Sequence, residues 1–80
     1  MDSKELKMLV KPTEVAIRYL GTPLKERYGK LWYKSPFRNE RTASFMVSDK
    51  KGFHDFGDSW HGDIISFIER LFNIRLRRLH

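Results

Sequence analysis

A chain of only 80 residues that contains no cysteine has to hold itself together by packing and capping. Without thiols it can form neither a disulfide nor a thiolate zinc site, the staples on which domains of this size often rely. Its length accommodates one hydrophobic core, and 40% hydrophobic residues are enough to build one. We therefore predict a single folded domain over residues 1–80, which could be a fragment of a longer protein.

Apolar residues at helical spacing predict a helix near each end of this domain. The first should begin around Pro12 and Thr13 and end at Gly21, with an apolar stripe formed by Val15, Ala16, Tyr19 and Leu20. The second should be capped by Asp63, and its apolar face consists of Ile64, Phe67, Ile68, Leu71 and Phe72. A further short helix is predicted from residue 3 up to Pro12.

Three segments between the helices are rich in aromatic or β-branched residues, which is typical of half-buried strands. They span residues 31–34, 42–48 and 53–56, and the polar stretch 49–52, which ends in glycine, suits a hairpin loop between the last two. Residues 22–30 are predicted as an extended connection and residues 57–62 as a turn. The predicted fold is therefore α+β, a small antiparallel sheet of about three strands flanked by an N-terminal and a C-terminal helix.

The charge of the chain favours polyanionic partners such as nucleic acid. Its 16 Lys and Arg residues against 10 Asp and Glu residues give a formal net charge of +6. The alternative is that this charge only keeps a small domain in solution. Nothing in the sequence resembles a signal peptide or a membrane span, so we expect a cytoplasmic protein without a membrane partner.

Basic and aromatic residues alternate through the middle of the chain, as in proteins that stack unpaired bases and contact phosphates. We expect Trp32, Tyr33 and Trp60 to be exposed, and we assign Phe37, Phe45 and Phe56 to the core, where most aromatic residues of so small a domain must lie. The predicted nucleic-acid contacts are Lys30, Trp32, Lys34, Arg41, Lys50, Lys51 and Trp60.

One string of motifs resembles a known family. Residues 35–45 read Ser-Pro-Phe-Arg-Asn-Glu-Arg-Thr-Ala-Ser-Phe, residues 53–58 read Phe-His-Asp-Phe-Gly-Asp, and residues 61–67 read His-Gly-Asp-Ile-Ile-Ser-Phe. Their order and spacing resemble the CHC2-type zinc finger of bacterial and phage DNA primases. The resemblance implies a zinc-ribbon-like sheet and a domain that helps recognise a single-stranded DNA template beside a separate catalytic domain.

The positions that match the family's zinc ligands hold no ligand of the family's type. On the matched motifs they are Ser35, Arg38, Asp55 and Asp58, so the chain resembles a degenerate member, for which we expect no metal and no cofactor. We predict instead that the Arg38 guanidinium forks onto Asp55 and Asp58, with a hydroxyl bond from Ser35. The alternative is that these charges point separately into water.

A metal site built from histidine and carboxylate is an alternative to the thiolate site. His54, Asp55, Asp58 and His61 are close in sequence, but His54 and Asp55 should point to opposite faces of a strand. No phosphate loop, HExxH motif or acidic pair typical of a polymerase occurs either, so we predict that the isolated domain is not an enzyme.

Two functions are compatible with these observations. The first is a non-catalytic module that binds single-stranded DNA in a primase-like or replication protein of a bacterium, phage or mobile element. The second is an adaptor that docks on a replication partner such as a primase, helicase or polymerase. Binding through phosphates must weaken with salt, whereas an apolar docking surface need not, so the two can be distinguished by experiment.

Overall fold

The structure is a computed structural model that describes residues 11–39 and 41–76. In chain order the elements are α1 (Pro12–Leu20), β1 (Lys25–Arg27), β2 (Lys30–Tyr33), β3 (Phe45–Ser48), β4 (Gly52–Asp55), β5 (Trp60–Gly62) and α2 (Ile64–Phe72). The strands form one antiparallel sheet of 5 strands in sequence order. The α+β class and the flanking helices are confirmed, while the helix predicted from residue 3 lies outside the described residues.

The sheet has two more strands than the sequence predicts. The three predicted strands correspond to β2, β3 and β4, whereas the edge strands β1 and β5 lie in segments predicted as connections. All of β1 is exposed, so its residues show no apolar alternation, and β5 has 3 residues. Each edge strand forms because it can hydrogen-bond to the strand beside it, β1 to β2 and β5 to β4. Such pairing is a tertiary effect that the local sequence pattern does not indicate.

Two tight turns fix the register of the hairpins. Tyr28 and Gly29 have φ of 53° and 77° between the paired residues Arg27 and Lys30, which is the geometry of a two-residue type I′ turn. The predicted loop at 49–52 joins β3 to β4, and Gly52 takes a φ of 80°. A Cβ at Gly52 would also lie 2.8 Å from the Gly62 carbonyl oxygen. Both the positive φ and this close contact therefore require glycine at position 52.

The core lies between one face of the sheet and both helices. Alternate strand residues point inward, and the rings of Phe53 and Phe67 stack with centroids 4.2 Å apart. The buried cluster consists of Val15, Ala16, Leu31, Tyr33, Phe45, Val47, Phe53, Ile64 and Phe67. Neither described helix has the length and apolar content of a membrane span.

Tyr33 and Phe56 lie on the other side of the sheet from the one predicted. Tyr33 was expected to be exposed, but it alternates with Trp32 and is 4% exposed, and its hydroxyl donates to the Gly21 carbonyl oxygen at 2.9 Å. Burial raises the pKa of Tyr33. Phe56 was assigned to the core, but it follows the inward-facing Asp55 and is 53% exposed. Phe45 is buried and Phe37 packs against the core, as predicted.

Helix α2 begins at the predicted cap. The Asp63 carboxylate accepts a hydrogen bond from the Ser66 backbone amide at 2.9 Å, and the helix ends at Asn73 in the left-handed conformation. At the end of α1, Gly21 donates its amide to Ile17 and has a φ of 81° with a ψ of −152°. It therefore has the positive φ that favours glycine, although its ψ lies outside the left-handed helical region.

Removing the α2 cap should destabilise the domain moderately. Asp63→Ala leaves the Ser66 amide without its carboxylate partner, so we expect a loss of about 1 kcal/mol in the free energy of unfolding, measured by urea denaturation. Asp63→Asn keeps a capping oxygen and serves as the control, because asparagine caps helices about as well as aspartate. Equal destabilisation by the two variants would contradict a capping role.

Candidate nucleic-acid interface

The sheet face opposite the helices carries a row of side chains drawn from every strand. Because Leu31 and Phe53 point into the core, their neighbours Trp32 and His54 point to the other face. Trp32 pairs with Met46, and Met46 pairs with His54. The complete row, in register across the sheet, is Lys25, Trp32, Met46, His54 and His61.

Ring contacts make this row continuous. Phe56 stacks on Trp32, with centroids 5.7 Å apart, and on His54, with centroids 4.1 Å apart. The rings of His54 and His61 are 5.9 Å apart, and the Lys25 ammonium lies 5.4 Å from the Trp32 ring centroid. We call Trp32, His54, Phe56 and His61 the aromatic row. Such rings on an open sheet can stack on unpaired bases.

Lysines lie beside the aromatic row at one end of the sheet. Lys30 lies on β2 two residues from Trp32, and Lys50 and Lys51 are exposed in the β3–β4 turn. The two hairpin turns enclose a shallow cleft lined by Tyr28, Gly29, Lys30, Ser48, Asp49, Lys50 and Lys51. Three predicted phosphate contacts are therefore brought together, next to a tyrosine that is 96% exposed.

Among the residues that the structure describes, one acidic residue lines this cleft, and it is hydrogen-bonded to the start of helix α1. Asp49 accepts hydrogen bonds from the Thr13 amide at 3.0 Å and from the Thr13 hydroxyl at 2.7 Å. These bonds engage the Asp49 carboxylate with the start of the helix. Asp49 keeps its negative charge, but the three lysines of the same lining outweigh it, so the cleft has a net positive charge suited to phosphate.

The remaining predicted contacts are placed differently. Lys34 is exposed directly after β2 and continues the alternation of Trp32, whereas Arg41 is exposed in the loop between β2 and β3. Trp60 pairs with the inward-facing Asp55, and its ring lies 5.4 Å from that of Phe37. Trp60 is therefore on the core face and is not part of the candidate interface.

Sequence reasoning missed three of the four members of the aromatic row, all except Trp32. His54 and Phe56 alternate with Phe53 and Asp55, so a strand phase that puts Phe53 in the core would have placed both on the outer face. The roles of Lys25 and His61 depend on pairing across the sheet. For those residues the sequence offered no local signal.

A second cluster lies on the core face, at the end of β4. The Asp55 carboxylate is fully buried, with 0% of the side chain exposed, and it accepts hydrogen bonds from three groups. The donors are Nη2 of Arg38 at 2.7 Å, the hydroxyl of Ser35 at 2.8 Å and the amide of Gly57 at 3.0 Å. The predicted contacts of Arg38 and Ser35 with Asp55 are therefore formed.

Asp58 joins the cluster through two arginines. Nη1 of Arg38 is 3.8 Å from Asp58 Oδ2, and Nη2 of Arg70 donates to the same oxygen at 3.0 Å. The hydrogen bond from Arg70 is the main cause that holds the pKa of Asp58 below its ordinary value. Arg38 is thus close to Asp55 and farther from Asp58, so the predicted fork is uneven. The closer partner of Asp58 is Arg70, for which the sequence predicted no role. We call Ser35, Arg38, Asp55, Asp58 and Arg70 the ion-pair centre.

Zinc does not fit the ion-pair centre. A guanidinium stays protonated and offers no lone pair, so Arg38 cannot be a ligand, and its charge next to Asp55 would repel a divalent cation. The remaining groups are a hydroxyl and two carboxylates that already accept hydrogen bonds. Within residues 11–39 and 41–76, no three His, Asp or Glu side chains come together as a metal site would require.

Comparisons with known proteins agree with the motifs. Residues 4–77 match a family model described as the CHC2 zinc finger, the zinc ribbon of DnaG. No curated protein sequence matched the chain. The match includes both described helices and all five strands.

Proposed function

This chain belongs to the CHC2 zinc-finger family of primase-related, nucleic-acid-binding modules, and we propose that it binds single-stranded DNA on the open face of its sheet. The observation that carries the proposal is the aromatic row, which lies on the face that neither of the two described helices covers and has Lys30, Lys50 and Lys51 at one end. Its rings would stack on bases while the lysines contact phosphates.

The shape of this surface favours a single strand over a duplex. In a duplex the faces of the bases are stacked on each other, so protein rings cannot reach them, whereas unpaired bases can be splayed out onto aromatic side chains. A broad sheet also does not enter the major groove as a recognition helix does. Binding would therefore depend on stacking and charge and would tolerate many sequences.

The proposal gives the domain a binding role without chemistry. We propose that the domain acts in the cytoplasm as part of a primase-like or replication protein. There it would present the template to a separate catalytic domain, which forms the bonds of the new strand. A primase, helicase or polymerase would be the partner. The ion-pair centre supports this division of roles, because its carboxylates are engaged by arginines on the face opposite the aromatic row.

The electrostatic part of the interface can be tested by fluorescence anisotropy with a labelled single-stranded oligonucleotide, in EDTA and across a range of salt. The double variant Lys30→Gln, Lys50→Gln removes two proposed phosphate contacts. Each contact to a single strand contributes about 0.7 to the slope of log affinity against log salt, so the slope should fall by roughly 1.4. Affinity at low salt should fall with it.

A control variant of equal charge separates specific contacts from net charge. Arg18→Gln, Arg75→Gln also removes two positive charges, but both residues are exposed away from the cleft and the aromatic row. The control should keep nearly the full salt slope. An equal reduction in both variants would mean that only overall charge matters, and the proposed interface would be wrong.

The competing function is supported by an apolar groove between the helices. Its lining consists of Val15, Arg18, Tyr19, Ile64, Ile65, Ile68 and Leu76, a composition that suits a protein contact better than DNA. An adaptor would leave the oligonucleotide free even at low salt. That result, obtained with folded protein, would favour the adaptor.

A further inference from the structure

We propose that the Arg38 guanidinium performs the structural role that a metal ion would have at positions 35, 38, 55 and 58. The ion-pair centre would then be a metal-independent crosslink. It is formed entirely by side chains of this chain, on the core face, so the inference does not depend on the proposed DNA binding.

The centre joins the same parts of the chain that a four-ligand metal site would join. Ser35 and Arg38 lie in the loop that follows β2, Asp55 ends β4, and Asp58 lies in the turn before β5. A metal ion at these positions would hold this loop, this strand end and this turn together. The arginine makes the same connections through a hydrogen bond of 2.7 Å to Asp55 and an ion pair of 3.8 Å to Asp58.

Burial distinguishes this centre from an ordinary surface ion pair. Asp55 is fully buried, and a buried carboxylate is tolerated only when its charge is compensated and its oxygens accept hydrogen bonds. Both of its oxygens do so, Oδ2 from Ser35 and Oδ1 from Arg38 and Gly57. The guanidinium is therefore the counter-charge that allows β4 to end inside the protein.

The backbone is shaped to receive the guanidinium. A Cβ at Gly57 would collide with the Arg38 side-chain atoms Nη2, Cζ and Nη1, so the guanidinium occupies the space that a side chain at this position would need. Gly57 does not have a positive φ, so alanine could take its backbone conformation. The glycine is therefore explained by the space that Arg38 occupies.

The centre also reaches helix α2, which lies outside the four matched positions. Arg70 donates to Asp58 at 3.0 Å, and its guanidinium carbon lies 4.1 Å from the Phe37 ring centroid. Asp58 is thus shared by two arginines, one from the loop and one from the helix. This extends the crosslink to a fourth element and supports a network that maintains the fold.

The direct test is to convert the centre back into a metal site. The variant Ser35→Cys, Arg38→His, Asp55→Cys, Asp58→Cys replaces the ion pairs with three thiolates and an imidazole, a normal zinc set. We expect it to bind one cobalt ion with the absorption of tetrahedral thiolate coordination, and its Tm to fall when a chelator removes zinc. The unchanged protein should show no cobalt absorption and the same Tm with and without chelator.

Either of two results would overturn the proposal. One is a folded four-fold variant that takes up no cobalt, since the positions would then lack the geometry of a metal site. The other is a wild-type Tm that falls on chelation. If the four-fold variant does not fold with zinc, a double-mutant cycle between Gly57 and Arg38 tests the proposal instead.

The cycle uses Gly57→Ala, which displaces the guanidinium without changing any charge. In the wild-type background it should raise the equilibrium constant for unfolding roughly tenfold or more, the effect expected when hydrogen bonds to a charged group are lost. In the Arg38→Ala background the collision is absent, so Gly57→Ala should have little effect. Equal effects in both backgrounds would show that Gly57 acts independently of Arg38 and would overturn the proposal.

Discussion

Replacing Arg38 with alanine should lower the free energy of unfolding by about 3 kcal/mol, the cost of removing one partner from a buried ion pair. The loss follows from Asp55, whose carboxylate would lose its counter-charge and keep only Ser35 and Gly57 as hydrogen-bond donors. For a domain of this size the Tm should fall by roughly 10 to 20 °C, which differential scanning fluorimetry measures directly.

Arg41→Ala is the matched control for this substitution. Arg41 lies in the same loop between β2 and β3 and is exposed, so its replacement should change the stability by no more than about 0.5 kcal/mol. Arg38→Lys gives a further comparison, because lysine keeps the charge but has no planar fork. An unchanged Tm in Arg38→Ala would mean that Asp55 is stable without its counter-charge and that the ion-pair centre is incidental.

The contacts of Arg38 were predictable because the family resemblance aligned one cation and two anions with positions that must converge in space. Helix α2 was predictable because its apolar spacing and the Asp63 cap are local signals, and the structure contains both. In each case the information lies within the motif or the helix itself. No pairing with a distant strand had to be known.

The candidate interface was harder to predict because a face assignment depends on strand phase. Trp32 and Tyr33 are adjacent aromatic residues, and only one can point into the core; pairing with β3 and packing under the helices select Tyr33. The phase of β4 likewise puts Phe56 on the open face, because Phe53 and Asp55 point into the core. Trp60 was misplaced for a related reason, since its partner Asp55 sets its direction only once β5 is known to exist.

The ion-pair centre and the aromatic row meet at the end of β4. Asp55 points into the centre, while its neighbours His54 and Phe56 point to the open face. The Phe56 amide donates to the Ser44 carbonyl oxygen at 2.9 Å, and the following Gly57 amide donates to Asp55. The segment that presents Phe56 to solvent is therefore fixed by the same contacts that bury the Asp55 carboxylate.

Replacing Phe56 therefore tests directly whether the open face of the sheet is the proposed DNA-binding surface. Phe56→Ala removes the ring that contacts both Trp32 and His54, and loss of a stacking ring costs about 1 to 3 kcal/mol per base. We therefore expect the dissociation constant for single-stranded DNA to rise roughly tenfold or more. Because the side chain is 53% exposed, the fold should remain intact.

The most direct measurement is the affinity of Phe56→Ala beside that of Phe72→Ala, by anisotropy with one oligonucleotide at one salt concentration. Phe72 is 51% exposed on helix α2, so the two variants remove the same side chain at nearly equal exposure from opposite faces. A binding loss confined to Phe56→Ala is the predicted result. Equal losses, or a loss confined to Phe72→Ala, would contradict an interface on the open face of the sheet.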